Sequence, residues 1–275
     1  MNYPSIVVEL SSEIKEIEIL PLGDVHFGSP EFNNVLFDET IEKIKNQDNL
    51  YCILLGDLIE CVTKDSVGDL FTQQGTPQTQ AASIVEKLKP IKHKILGMTS
   101  GNHENRVFKS TGFDISYYIA DKLELLDKYN KGSFVLFVKF GIRRGNTNKK
   151  HSFSIVISHG VASSTKKAGK LNSLLKMSEV VSGADIYVMG HVHDFICTYE
   201  ENFIIDPQNK IIKPKISCLI TQGAFLDFGG YGYEKGYKPL AQKYGIISLG
   251  YVSKHKADER YVKVRSWINE YFRYF

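Results

Sequence analysis

Cysteine is scarce in this 275-residue chain, and the four that occur (Cys52, Cys61, Cys197 and Cys218) are scattered with no CxxC pair. That spacing offers no disulfide framework and no thiolate zinc site, and it suits a reducing compartment. Cys52, inside an apolar run, reads as a core residue. No run approaches the roughly 20 apolar residues needed to span a bilayer, so no membrane partner is expected. The start, Met1-Asn2-Tyr3-Pro4, lacks the basic and long apolar regions of a secretory signal. An excess of one charge is missing too. Lys and Arg number 34 against 31 Asp and Glu, and a net charge of +3 does not by itself imply a nucleic-acid partner. Internal repeats, low-complexity tracts and linkers are absent. What these absences leave is a soluble, cytoplasmic protein of one domain, 1–275. Its 43% apolar and 24% charged residues are ordinary for that class.

The apolar pattern predicts alternating strands and helices. Residues 6–10 and 16–20 are short strand-like runs joined by a polar turn, which predicts a hairpin. Leu36, Phe37, Ile41 and Ile44 fall at the spacing of an amphipathic helix over 33–47. Strand 51–55 follows, then a polar surface excursion over 61–80. A helix comes next with Ile84, Leu88 and Val85 inward, stopped near Pro90, and then a strand over 94–98. A helix over 114–127 and strands at 134–140 and 153–158 come after, the last two separated by a basic loop. A helix through Leu171, Leu174, Leu175 and Val181 precedes the strand Ile186–Met189. Beyond it the texture turns β-rich, with strands at 196–205, 211–220, 245–252 and 260–267. The alternation predicts crossover units feeding a largely parallel sheet, and ligands gather beyond the carboxyl ends of such strands.

Five short motifs sit at those ends: Asp24-x-His26, Gly56-Asp57, Gly101-Asn102-His103-Glu104, His159-Gly160 and Gly190-His191-x-His193. Asp, Asn and Gly are common where strands end, for backbone reasons alone. Five of the chain's eight histidines falling inside these motifs is not explained that way. Oxygen and imidazole donors without thiolate suit Mn²⁺, Fe or Zn²⁺ in expanded coordination. The glycines at 23, 56, 101, 160 and 190 permit tight turns where backbone passes close to such ions. His93, His151 and His255 lie outside the motifs and read as surface residues.

In that order, the motifs resemble the five-motif signature of the calcineurin-like metallophosphoesterases, from about residue 20 to about 195. The resemblance implies an α/β fold (α+β in some schemes), a four-layer αββα sandwich of two mixed sheets with a dimetal site at the carboxyl ends of the strands. The β-rich part, 196–275, would complete the second sheet. It implies two divalent metal ions, Mn²⁺ first, with Fe, Zn²⁺ or Ni²⁺ as alternatives. Asp57 would bridge them, with Asp24, His26 and His193 completing one and Asn102, His159 and His191 the other. A metal-bridging hydroxide would attack phosphorus, and His103 would act as general acid to the leaving group. Glu60 or Glu104 would orient His103, with Glu60 slightly favoured because protein phosphatases of the superfamily carry an aspartate there.

Several further features admit two readings. Arg106 could clamp a phosphoryl oxygen or form a salt bridge at a helix start. The hydroxyls and lysines of Val161–Lys167 could hold a phosphate or merely begin a helix. The loop with Arg143, Arg144, Lys149 and Lys150 could track a polyanion or be solvated. Aromatics in Phe225–Tyr233 could stack nucleobases over the site or cover the sheet.

The protein Ser/Thr phosphatases of the superfamily carry Asp-Arg-Gly after the second motif, whereas here Gly56-Asp57 is followed by Leu58-Ile59-Glu60-Cys61-Val62, with no arginine. Lipid-A precursor hydrolases replace the third-motif histidine by arginine, whereas here it is His103. What remains is similar to the repair-nuclease branch and its small bacterial or phage-encoded relatives. The expectation is a phosphodiesterase or nuclease acting on DNA, RNA or a nucleotide. The alternatives are a phosphomonoesterase and a binding scaffold, as in the retromer subunit sharing the fold. No oligomeric state is implied.

Overall fold

The most apolar strands set the architecture. β2 (Glu16–Leu22), β3 (Leu50–Leu54) and β4 (Ile95–Thr99) run parallel, side by side, with nearly every residue buried. Strands covered on both faces read as continuous apolar runs, as these do. In the computed structural model, which describes residues 3–64, 66, 70–146, 148–161, 164–229, 233, 236, 243–254 and 258–268, they form the middle of a six-stranded sheet. β5 (Tyr129–Asn130) closes one edge, and β11 (Lys243–Ser253) and β12 (Asp258–Ile268) extend the other in antiparallel pairing. The second sheet has the order β1 (Ser5–Glu9), β6 (Phe134–Phe140), β7 (His151–Ser158), β8 (Ile186–Met189), β10 (Ile211–Thr221), β9 (Ile196–Asp206).

The sheets pack face to face through one core, in which Ile17, Ile19, Ile53 and Leu55 meet Phe134, Leu136, Phe153, Ile155 and Val188. A second core lies outside the first sheet. There α1 (Asn34–Asn46), α2 (Pro77–Leu88) and α4 (Ile115–Lys122) bury Leu36, Phe37, Ile44, Ile84, Leu88 and Ile119. A third, smaller core lies outside the second sheet, where α5 (Lys167–Val180) sets Leu174 against Val156, Tyr187 and Leu219. Helices, sheet, sheet and helix make the four-layer αββα sandwich. Among the described residues, no helix is long and apolar enough to cross a membrane.

Several local expectations need correction. Residues 6–10 and 16–20 are no hairpin: β1 pairs in parallel with β6 in one sheet, while β2 is central in the other. Half-buried β1 suits an edge and fully buried β2 suits a centre, so the polar turn between them carries the chain across the sandwich. The sheets are mixed rather than largely parallel, because β6 with β7 and β9 with β10 pair antiparallel. The C-terminal strands complete both sheets, two in each, not the second alone. The excursion over 61–80 ends in the first turn of α2, where Gln80 is buried and binds the Cys61 N–H. The helix expected over 114–127 stops at Lys122. One helix had not been foreseen, α3 (Asn102–Thr111), which starts on the third motif itself.

Candidate metal centre

All five motifs converge at one edge of the sandwich. Asp24 and His26 follow β2, Asp57 follows β3, Asn102 opens α3 after β4, His159 follows β7, and His191 and His193 follow β8. Adjacent parallel strands deliver their ends to the same edge, which is why motifs far apart in sequence meet.

The backbone bends hard to bring them in. Asp24, His26, Asp57, His191 and His193 have φ between 50° and 67°, and they account for five of the eight non-glycine residues in the left-handed region among those described. Each such residue costs of order 1–3 kcal/mol and persists only where its surroundings impose it. Here the loops are cross-linked: Val25 N–H donates to Asp57 O at 2.8 Å, His26 N–H to Asp57 O at 3.0 Å and Phe225 N–H to Asp24 O at 3.0 Å. Gly56 (φ 84°) supplies another left-handed turn, against the main chain of Gly101.

Three donor groups form, each with one atom per residue lying within 4.8 Å of the others: Asp24, His26 and His193; Asp57, His159 and His191; and His26, Glu60 and His103. Asn102 joins the second, with Oδ1 2.9 Å from His159 Nε2. Asp57 lies between the first two, with Oδ2 3.2 Å from His159 Nε2 and 4.0 Å from His26 Nε2. All seven expected ligands are therefore brought together.

The donor chemistry fits cations. His159 donates its Nδ1–H to the Leu55 carbonyl at 2.8 Å, and His26 Nδ1 faces the Glu60 carboxylate at 2.9 Å. Fixing Nδ1 in this way turns a lone pair on Nε2 toward the site, as metal-binding histidines are held. His26 Nε2 and His193 Nε2 then face each other at 3.1 Å, with Asp24 Oδ1 3.3 Å from the latter, three donors aimed at one point. The carboxylates of Asp24 and Asp57 are almost wholly buried. Burial alone would push both upward, but the surrounding histidines outweigh it and hold them low. Reciprocally, and against its own burial, His26 is raised to about 9 by Glu60 and then Asp57. His159 is raised to about 10 by Asp57 in the same way. A site that binds protons this tightly is one that divalent cations can fill by displacing them.

His103, Glu60 and Arg106 lie together beside the donor groups, Glu60 meeting His103 through its main chain. His103 donates Nδ1–H to the main-chain carbonyl of Glu60 at 2.6 Å, while the Glu60 carboxylate turns to His26 and stays 3.6 Å from His103. Glu104, the competing candidate, is buried and accepts four main-chain N–H groups, from Asp57, Leu58, Ile59 and Gly101. It holds the second motif against the third and does not touch His103 through a hydrogen bond. Arg106 lies along the His103 ring, with Nη2 3.0 Å from Nε2 and Nη1 3.1 Å from Nδ1. Since Nδ1 already donates to a carbonyl, only Nε2 can accept from the guanidinium. Burial outweighs Asp57, and with His26 and Arg106 adding to it His103 falls to about 4.

Other expectations fare unevenly. His93 is exposed, but His151 is buried, stacked on Tyr251 at 3.9 Å, and His255 lies outside the described residues. The loop of Arg143 to Lys150 joins the far end of β7, at the pole away from the metal centre, so it does not line the site. Phe225 is core, stacked on Tyr244, whereas Phe228 and Tyr233 are exposed; residues 230–232 lie outside the described set. Ala162 and Ser163 lie outside it as well, and Ser164 accepts from Lys166 N–H.

Carboxylate and imidazole donors gathered at strand ends of an αββα sandwich form a candidate site for divalent metal ions. Residues 17–195 match the family model of the calcineurin-like phosphoesterases, and the chain belongs to that family, a metal-dependent phosphoesterase. No curated protein matches the chain. Among solved structures it is similar to Vacuolar Protein Sorting 29 from Cryptosporidium parvum, with 13% identity over 93% of this chain and 100% of that one and a TM-score of 0.42.

Proposed function

We propose that the chain is a phosphodiesterase acting on nucleic acid or a nucleotide, with Mn²⁺ as its metal. The observation that carries the diester reading is Arg106. Among the described residues it is the one cationic side chain within hydrogen-bonding distance of His103. A phosphodiester has a single negative charge on its non-bridging oxygens, and one guanidinium matches it; a monoester dianion asks for more. Mn²⁺ suits a mixed carboxylate and imidazole set without thiolate. When bound, a pair of such cations lowers the pKa of water to near neutrality and takes up phosphoryl charge.

The chain's own residues supply the rest. Asp57 holds its carboxylate between the two donor groups and fixes His103 by accepting its main-chain N–H at 2.8 Å. The Glu60 carbonyl sets the tautomer of His103, so Nε2 is left to accept from Arg106 at 3.0 Å, and it lies 3.8 Å from Asp57 Oδ2. Burial, with His26 and Arg106 adding to it, holds the His103 pKa low. As general acid His103 would have to carry a proton to the leaving oxygen, and a phosphoryl anion beside the ring would raise its pKa toward that role.

The test is hydrolysis of bis-p-nitrophenyl phosphate, p-nitrophenyl phosphate and single-stranded DNA with Mn²⁺, by wild type, Asp57→Ala and His103→Ala. Diester hydrolysis that exceeds monoester hydrolysis and collapses in both variants supports the reading. Monoester hydrolysis alone, or wild type no better than the variants, refutes it.

A further inference from the structure

The turn between β6 and β7 has a property unrelated to the metal centre. β7 runs from His151 to Ser158, and at about 3.3 Å per residue its start lies roughly 25 Å from His159. Two adjoining clefts open at that distant pole, of about 260 Å³ and about 450 Å³, sharing Arg143 and Lys150. Their walls carry six cations (Lys139, Arg143, Arg144, Lys149, Lys150 and Arg260) against two carboxylates, Glu9 and Asp258. Arg260 is in addition 3.6 Å from Asp185, which leaves the cleft an excess of three cations.

Both carboxylates are already engaged. Glu9 is 3.5 Å from Lys139 and 3.4 Å from Lys150. Asp258 accepts the Arg144 main-chain N–H at 2.7 Å and the Ser253 hydroxyl at 2.8 Å. Arg143 and Lys149 have no carboxylate in ion-pair reach among the described residues. The frame is tied down as well: Arg143 N–H donates to Lys149 O at 2.8 Å, Arg144 Nη1 binds the Lys254 carbonyl, and Arg260 binds the Ser152 carbonyl. Like charges held together by such bonds repel one another, and an anion entering the cleft relieves that repulsion. Guanidinium forks match phosphate oxygens in particular. An excess of three calls for an anion of several charges rather than a single small one.

We propose that this cleft is a second anion site, separate from the metal centre, for multiply charged phosphate anions. The ligand chemistry has two sources, free polyphosphate or the backbone of a nucleic acid.

The experiment uses metal-loaded full-length protein. Tripolyphosphate binding is followed by calorimetry, and binding of a labelled phosphorothioate oligonucleotide by fluorescence anisotropy. Wild type is compared with Arg143→Glu/Lys149→Glu and with Lys45→Glu/Lys176→Glu, which changes the charge equally on other exposed surfaces. The cleft variant should lose about tenfold or more in affinity for at least one probe, while the control variant stays close to wild type. Hydrolysis of bis-p-nitrophenyl phosphate should be unchanged in both. Loss with tripolyphosphate alone identifies the free anion. Loss with the oligonucleotide identifies the backbone, and its affinity should then fall with salt at a log–log slope of about −0.7 per phosphate neutralised. The proposal is overturned if wild type binds neither probe, if the cleft variant binds both as wild type does, or if the control loses as much.

Discussion

The Glu60 carboxylate lies 2.9 Å from Nδ1 of His26, a metal-ligand candidate, and only its main-chain carbonyl serves His103, at 2.6 Å. Glu60→Ala therefore removes the support of His26 and leaves the support of His103 in place. Outer-shell partners of this kind are worth about 10–100-fold in metal affinity. Metal titration of the variant should show a loss in that range, with activity restored at saturating Mn²⁺. An unchanged metal affinity with a depressed kcat would mean that the side chain acts on His103 after all.

Glu104 is predicted to be structural. It is 2% exposed and satisfies four buried N–H groups with one carboxylate. Buried donors left unsatisfied cost about 1–3 kcal/mol each, partly recovered where water enters. Glu104→Ala should destabilise the fold by about 3 kcal/mol or more in urea unfolding, whereas Glu104→Gln, which keeps one acceptor oxygen, should cost less. A Glu104→Ala protein as stable as wild type but inactive would assign the residue to the chemistry instead.

One thiol should stand apart from the others. Cys52, Cys61 and Cys218 are buried, while Cys197 is exposed. Burial pushes the Cys52 and Cys61 thiols up, whereas the hydrogen bond with Cys218 brings Cys197 down to about 7. The thiolate is the reactive form, so its population grows as pH rises through that value. Alkylation of native protein by iodoacetamide should modify Cys197 first, with a rate that climbs roughly tenfold between about pH 6 and 8 and then levels off. A rate still climbing steeply above pH 8 would put the thiol at its ordinary value.

The candidate ligand set came from the family resemblance; what the strand pattern itself made legible is that the motifs share one edge, because parallel strands send their ends the same way. Asp24, Asp57, Asn102, His159 and His191 each follow an apolar run, and five such ends share one edge. The β1–β2 hairpin was misread because two adjacent strand-like runs look alike whether they pair or cross to another sheet; only burial separates them. His151 passed for a surface residue because a polar residue at a strand start carries no sign of the Tyr251 ring that covers it. Glu60 does orient His103, but through its main-chain carbonyl, while its carboxylate lies closer to His26. Both histidines lie within reach of its side chain, at 2.9 and 3.6 Å, and no spacing in the sequence distinguishes those distances. The basic loop was legible as charge but not as place, since its position at the far pole follows from the direction of β7.

Gly101 shows that a motif glycine can be required for space rather than for backbone freedom. Its φ of −101° is open to any residue. A methyl group there, however, would overlap Asp57 Oδ1 and the Asp57 main-chain nitrogen. Asp57 cannot retreat, because Glu104 holds its N–H and His103 N–H holds its Oδ1. Gly101→Ala should therefore displace the carboxylate shared by the two donor groups, costing about 1–3 kcal/mol of stability as an overpacked site does. Metal affinity should fall with it, by about tenfold or more if the carboxylate moves off its donor position. Gly132, where an added Cβ meets only the Asn130 side chain at 3.9 Å, is the matched control. Gly132→Ala should change stability by no more than about 0.5 kcal/mol and leave metal binding alone. Metal titration and urea unfolding of the two variants separate the outcomes: if both bind metal as wild type does, the close approach of Gly101 to Asp57 does not position the carboxylate.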